Sequence, residues 1–213
     1  MTQLILVRHG ETLWNRERRM QGQRDSPLSD TGKHQARRLG QRLADLSFSV
    51  LYSSDLGRAY ETARSVAAVT GHEIAVDTRL RERHFGVFEG LTSDEIESGF
   101  PAEFDCFKSR NPAYVIPGGE SAQQFRDRCL SVLEEIAERH LGATVVVVTH
   151  GLVLDVAYRE AHAIALGEPR PVPLLNASLN VFHYGNRHWR CETWGDVSHL
   201  QGGTVTHFES GSV

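Results

Sequence analysis

Three short apolar runs in this 213-residue sequence end on side chains able to do chemistry. Leu4-Ile5-Leu6-Val7 runs into Arg8-His9-Gly10, Val50-Leu51-Tyr52 into Ser53-Ser54 with Arg58 just beyond, and Val145 to Val148 into Thr149-His150-Gly151. A guanidinium is a planar fork that matches phosphate oxygens and keeps its charge at any working pH, so paired arginines beside histidines point to a phosphoryl or carboxylate ligand. Phosphoryl transfer needs mainly positioning and charge stabilisation, and a neutral imidazole can itself be the nucleophile of a two-step transfer. Arg8, Arg58 and a protonated His150 would then hold the equatorial oxygens around His9. Taken singly, each histidine reads as a hydrogen-bonded structural residue and Arg58 as a solvated helix residue. Their coincidence at strand ends is what carries chemistry, because ligands of open α/β sheets bind beyond the carboxyl ends of the strands.

The convergence therefore depends on the elements. Along the chain a short apolar run, then turn chemistry, then a segment of helical period recur, which predicts βα units and a largely parallel sheet. Leu4 to Val7, Val50 to Tyr52 and the β-branched run Val145 to Val148 read as central strands. Ser29 and Asp30 offer N-caps to a helix whose Ala36, Leu39 and Leu43 share one face, with its arginines toward solvent. Ser121 and Gln124 form a capping-box pattern ahead of Phe125, Cys129, Val132, Leu133 and Ile136, the best-supported helix. Ser178 to Tyr184 and His188 to Glu192 flank Gly185-Asn186-Arg187 as an antiparallel hairpin at the sheet edge. Thr92 to Gly118 mixes a short helix around Ser93 to Glu97 with Phe100-Pro101 and Asn111-Pro112, and reads as an excursion covering a site. The expectation is a three-layer α/β/α architecture with a largely parallel central sheet in a single domain, residues 1–213.

Composition narrows the partners. The 40% apolar and 23% charged fractions are those of a globular chain, without repeat, linker or low-complexity stretch. A formal net charge of −4 provides no global attraction to nucleic acid or an anionic membrane, so an anion must be held by arginines gathered locally. Cys106, Cys129 and Cys191 are odd in number and lack the paired spacing of a zinc site or disulfide framework. The first apolar run is too short for a signal segment or membrane span, and a cytoplasmic location is expected.

Leu6-Val7-Arg8-His9-Gly10-Glu11-Thr12 followed by Asn15 resembles the signature of the histidine phosphatase superfamily, the phosphoglycerate mutase-like proteins. The resemblance continues, in the family's order, through Pro27 to Gly32, Tyr52-Ser53-Ser54-Asp55-Leu56-Gly57-Arg58-Ala59, Leu80-Arg81-Glu82-Arg83-His84-Phe85-Gly86 with Glu89-Gly90, and Val148-Thr149-His150-Gly151. It implies that His9 becomes phosphorylated, with Arg8, Arg58 and His150 completing the phosphate pocket. It gives Glu82 the role of general acid and then base, for which a partly desolvated pocket would raise its pKa. It further matches Asn15, Gln21 and Gly22 to positions touching the phosphoryl group, and Gly151 to close backbone approach at a helix start. His9, Glu82 and His150 could also hold zinc, but two arginines in the same pocket repel a cation, and neither metal nor cofactor is expected. The remaining histidines, His34, His72, His84, His140, His162, His183, His188, His199 and His207, share no spacing and read as surface or structural residues.

Within the resemblance two activities compete, since a mutase and a phosphatase share the phosphohistidine step and differ in the acceptor. The family's mutases carry a longer insertion with extra basic residues between the acid glutamate and the second histidine. Here 68 positions separate Glu82 from His150, and the Trp-Arg-Arg element of the mutases is missing. Pro117-Gly118-Gly119-Glu120-Ser121 and Asp196-Val197-Ser198-His199-Leu200 look like the phosphatase branch, except that Gly195 stands where that branch usually carries Asn. A metal-independent hydrolase of small phosphate monoesters is therefore expected, its partner a small phosphorylated metabolite; the alternatives are an activator-dependent phosphoglycerate mutase and a non-catalytic phospho-ligand binding module. Phe100, Phe104, Phe107 and Tyr114 either wall the leaving-group side or form a hydrophobic cluster that holds the excursion down. The edge hairpin leaves a homodimer open.

Overall fold

The β-branched and leucine runs form the inner strands of a six-stranded sheet in the computed structural model, which describes residues 1–200. The strands are β1 (Thr2–Arg8), β2 (Val50–Ser53), β3 (Ile74–Val76), β4 (Thr144–Thr149), β5 (Leu179–Gly185) and β6 (His188–Asp196), in the order β3-β2-β4-β1-β5-β6. The first four in that order run parallel, while β5 and β6 are antiparallel additions beyond β1. The helices are α1 (Leu13–Arg16), α2 (Asp30–Ala44), α3 (Gly57–Thr70), α4 (Ser93–Gly99), α5 (Pro101–Lys108), α6 (Ala122–Arg139) and α7 (Gly151–His162).

Strands read as continuous apolar runs because both faces of the sheet are covered. Leu4, Leu6, Val145 and Val147 point into a core with Phe125, Leu133 and Ile136 of α6 and Val153 and Leu154 of α7. The alternate residues Ile5, Val7, Val146 and Val148 meet Leu39 and Leu43 of α2 and Ala59, Ala63 and Val66 of α3 on the opposite face. The mixed α/β three-layer expectation holds. Leu6 and Val147 are wholly inaccessible to solvent, and burying one such side chain contributes about 1.5–3 kcal/mol.

Local signals placed most boundaries. Ser29 caps α2 by accepting from Gly32 N at 3.0 Å, and the Ser121–Gln124 capping box of α6 is formed in both directions. The hairpin turns through Asn186 and Arg187, both at positive φ, as a two-residue primed turn requires. Gly195 also has φ +68°, a left-handed position that disfavours most side chains. Four elements escaped the sequence reading: the short helix α1, the edge strand β3, the helix α3 that carries Arg58, and α5. Phe100-Pro101 looks like a break, yet Pro101 is the first residue of α5, where a missing N–H costs nothing.

The excursion is held by its own small core. Phe85, Phe88, Ile96, Phe104 and Ile116 pack together, with Met20, Leu91, Phe100, Phe107, Tyr114 and Leu152 around them. Its aromatic residues thus form the hydrophobic cluster, the second of the two expected arrangements. Among the described residues no helix is long and apolar enough to cross a membrane.

Candidate active site

Register brings the strand ends into step. Arg8 pairs with Thr149 across β1 and β4, and Ser53 with Val148 across β2 and β4, so the next residues along each strand, His9, Ser54 and His150, leave the sheet side by side. His9 N donates to Thr149 O at 3.0 Å and Ser54 N to Val148 O at 3.0 Å. The His9 and His150 rings lie 5.3 Å apart between centroids.

Both histidines are buried and both are pushed well below the ordinary imidazole range, by burial first and then by the positive charge of Arg58. His9 Nδ1 lies 2.7 Å from the carbonyl oxygen of Gly10, which assigns the proton to Nδ1 and leaves the lone pair on Nε2. A neutral imidazole so oriented is a nucleophile. His150 lies with Nε2 2.8 Å from Ser54 Oγ, while its Nδ1 is buried with no partner among the described residues. A protonated His150, expected from the sequence, is disfavoured by this surrounding of burial and guanidinium charge; a phosphoryl dianion would supply the opposing term.

Arg8 and Arg58 are almost inaccessible to solvent. Burial, helped by the charges of Arg170 and Arg58, pushes Arg8 down to about 10, so it stays cationic at neutral pH. Its Nη1 donates to Leu174 O at 2.6 Å. Arg58, at the start of α3, donates from Nη1 to Arg24 O at 2.8 Å and Asp25 Oδ1 at 3.0 Å, and from Nη2 to Gly22 O at 2.7 Å. Arg58 Nε is buried without a partner among the described residues. Buried unpartnered polar atoms are rare enough to mark where a ligand's oxygens can be received.

Glu82 is fastened through both of its carboxylate oxygens. Oε1 accepts from Arg83 N at 2.8 Å and Oε2 from Leu152 N, in the first turn of α7, at 3.1 Å. Burial raises its pKa and outweighs those two bonds and the nearby Arg58 and Arg8. A carboxyl with a raised pKa and a buried neutral histidine, both within the influence of Arg8 and Arg58, are the acid and the nucleophile that such a transfer needs.

The remaining predicted residues are tied to the same loops. Asn15 Oδ1 accepts from Thr12 N at 3.1 Å in the capping box of α1. Gln21 Oε1 accepts from Thr12 Oγ1 at 3.0 Å. Gly22 has φ +56°, and a Cβ there would stand 2.1 Å from Glu89 Oε1. Gly151 opens α7 with its Cα hydrogens facing Arg8, where a Cβ would lie 3.4 Å from Arg8 Nε. His199, among the histidines read as surface or structural, is buried; His207 lies outside the described residues.

Two residues were missed. Asn176 Nδ2 donates to His9 O at 3.0 Å and reaches Asn15 Oδ1 at 3.4 Å. Thr62 Oγ1 accepts from Gly10 N at 3.1 Å and donates to Arg58 O at 2.8 Å, tying the first motif to α3. Asn176 becomes visible only with the fold, where a strand antiparallel to β1 begins near the point at which β1 ends.

Comparison with known proteins gives this geometry a family. The model of the histidine phosphatase superfamily (branch 1) matches residues 4–197. The chain belongs to that superfamily. It is 42% identical over 203 residues to phosphoglycerate mutase-like protein 4 of Arabidopsis thaliana, covering 93% of this chain and 87% of the relative. It is 42% identical over 204 residues to the metal-independent phosphoserine phosphatase of the same plant, covering 94% of this chain and 84% of that one. Among solved structures it superposes on a mutant phosphoserine phosphatase from Entamoeba histolytica in complex with phosphoserine, with a TM-score of 0.84 at 26% identity, over 94% of this chain and all of the other. Relatives of this superfamily thus carry both phosphatase and mutase names.

Proposed function

We propose that the protein is a phosphatase of small phosphate monoesters that works through phosphohistidine on His9 without a metal. The observation that carries this reading is the pairing of a buried neutral His9, its proton fixed on Nδ1, with a buried Glu82 whose pKa is raised. Simple phosphate binding needs neither. The relative named a metal-independent phosphoserine phosphatase supports hydrolysis, and makes phosphoserine the first substrate to assay.

In the first step His9 Nε2 attacks phosphorus, the P–N bond forms as the P–O bond to the leaving group breaks, and Glu82 gives its proton to the departing oxygen. Arg8, Arg58 and His150 hold the three equatorial oxygens, and the negative charge they receive favours a proton on His150. In the second step water attacks phosphorus, Glu82 takes its proton, the P–N bond breaks, and phosphate leaves. Asn15, Gln21, Gly22 and Gly151 shape the phosphoryl side of the pocket.

The test is phosphate release from phosphoserine and p-nitrophenyl phosphate in excess EDTA by the parent and by His9→Ala, with trapping of acid-labile phosphate on the parent. Turnover by the parent, abolished by His9→Ala, is expected. Loss of the parent's activity in EDTA would refute the metal-independent reading. Interconversion of 2- and 3-phosphoglycerate with little net phosphate release would make the mutase the correct reading.

A further inference from the structure

The segment Pro117-Gly118-Gly119-Glu120-Ser121 does nothing in the steps above, yet it is fitted to the loop that bears Glu82 more closely than side chains would allow. A Cβ on Gly119 would lie 2.5 Å from His84 O, and one on Gly86, at φ +52°, would lie 2.1 Å from Pro117 O. The two backbones are stitched by Val87 N to Pro117 O at 3.0 Å and Glu120 N to His84 O at 2.9 Å. Glu120 Oε2 accepts from His84 N at 2.9 Å. Glu120 O accepts from Arg83 Nε at 3.1 Å and Nη2 at 2.9 Å.

Arg128, two turns into α6, completes the fixture. It binds Glu120 with both arms of its fork, Nε to Oε1 at 2.9 Å and Nη2 to Oε2 at 2.8 Å. Its other donors reach the backbone of the acid loop itself: Arg79 O at 2.7 Å, Arg81 O at 2.9 Å and Glu82 O at 3.3 Å. Glu120 is held below the ordinary carboxylate range by Arg128 and by the His84 N–H, although burial pushes the other way. The pair is thus ionised and about four-fifths shielded from solvent, where a bidentate Arg–carboxylate bridge is strong and geometrically exacting.

We infer that Arg128, locked by Glu120, is the positioning residue for Glu82: it fixes the carbonyls on and before the acid and keeps a further cation near it, beyond Arg8 and Arg58. The inference rests on the phosphatase reading, in which Glu82 protonates the leaving oxygen. Arg128 touches no reacting atom. Its loss should therefore be felt where a proton must be delivered, and spare substrates that need none.

The experiment compares the parent with Arg128→Met and Arg128→Lys on phosphoserine, whose leaving group is an alkoxide, and on p-nitrophenyl phosphate, whose leaving group is a stable anion. Single-turnover loading of His9 is measured across pH for each, with Glu82→Gln as the reference pattern. Arg128→Met should lose at least tenfold in the loading rate from phosphoserine and less than threefold from p-nitrophenyl phosphate, with KM within twofold. Its alkaline limb should move to higher pH, because removing a cation favours protonated Glu82. Arg128→Lys keeps the charge but cannot reach three carbonyls and a carboxylate together, so it should restore the limb and not the rate. Equal losses on both substrates with an unmoved limb, or full recovery by Lys, would overturn the inference. Should Arg128→Met not fold, Glu120→Gln must give the same leaving-group split or the inference falls. A parent that fails to load His9 from either substrate would instead refute the phosphatase reading.

Discussion

Below about pH 6.5 an unfolded chain protonates its histidines, whereas burial and Arg58 keep His9 and His150 neutral in the folded protein. The unfolded state then holds more protons, so this contribution makes stability fall as pH falls, by at most about 1.4 kcal/mol per pH unit for each histidine. Glu82 acts in the opposite sense over its own window: its pKa is raised on folding, so stability returns as pH drops toward the ordinary carboxylate range. His9→Gln and His150→Gln should each flatten the decline between pH 7 and 5 in denaturant titrations; an unchanged slope would contradict the burial argument. For catalysis the same directions predict activity well into the acid range, because His9 stays a nucleophile there, and decline above the raised pKa of Glu82, when the acid is spent. Arg8, His9, Arg58 and His150 were legible because each follows an apolar run that could only be a strand. Glu82 was legible by resemblance alone, since amid Arg81, Arg83 and His84 its bare sequence reads as a surface ion pair. Thr62 and Asn176 left no local trace: their roles lie in backbone groups they receive or serve across the fold.

Ser29 shows how an element and the site share one residue. Its Oγ accepts from Gly32 N to cap α2 and donates to the buried Glu11 at 2.6 Å. Ser29→Ala should cost about 1–2 kcal/mol, from the lost cap and a buried carboxylate deprived of a donor. Thr92→Ala, which removes a cap from the exposed α4, should cost nearer the lower end of the usual cap range, about 0.5 kcal/mol. Urea midpoints at constant m would check the difference; equal losses would show that the link to Glu11 contributes nothing. Caps and apolar periods make α2, α6 and the inner strands readable in the sequence alone. β3 is not, because three half-exposed residues carry too little pattern. The packing of Gly119 against His84 is equally hidden: two glycines announce a turn, and only the fold reveals that the space they leave is filled by the acid loop.

At the scale of the molecule the site belongs to no contiguous segment: His9, Arg58, Glu82, His150 and Asn176 come from five separate connections, joined by a sheet whose order departs from chain order. The alternation of apolar runs and helical periods made the architecture readable, but the antiparallel placement of β5 beside β1 came from the fold. The central strand β1 is made first, yet its parallel partner β4 begins only at Thr144 and its other neighbour β5 at Leu179. At about 5–20 residues per second, a ribosome leaves Leu4-Ile5-Leu6-Val7 without a neighbour for roughly 7–30 s. A chain ended at residue 143 should accordingly be insoluble when expressed, while one ended at residue 200 stays soluble and active; a soluble short chain would mean that the early strand finds another cover. The first motif to leave the ribosome is thus the last to be completed, because the strand that bears it waits for partners not yet translated.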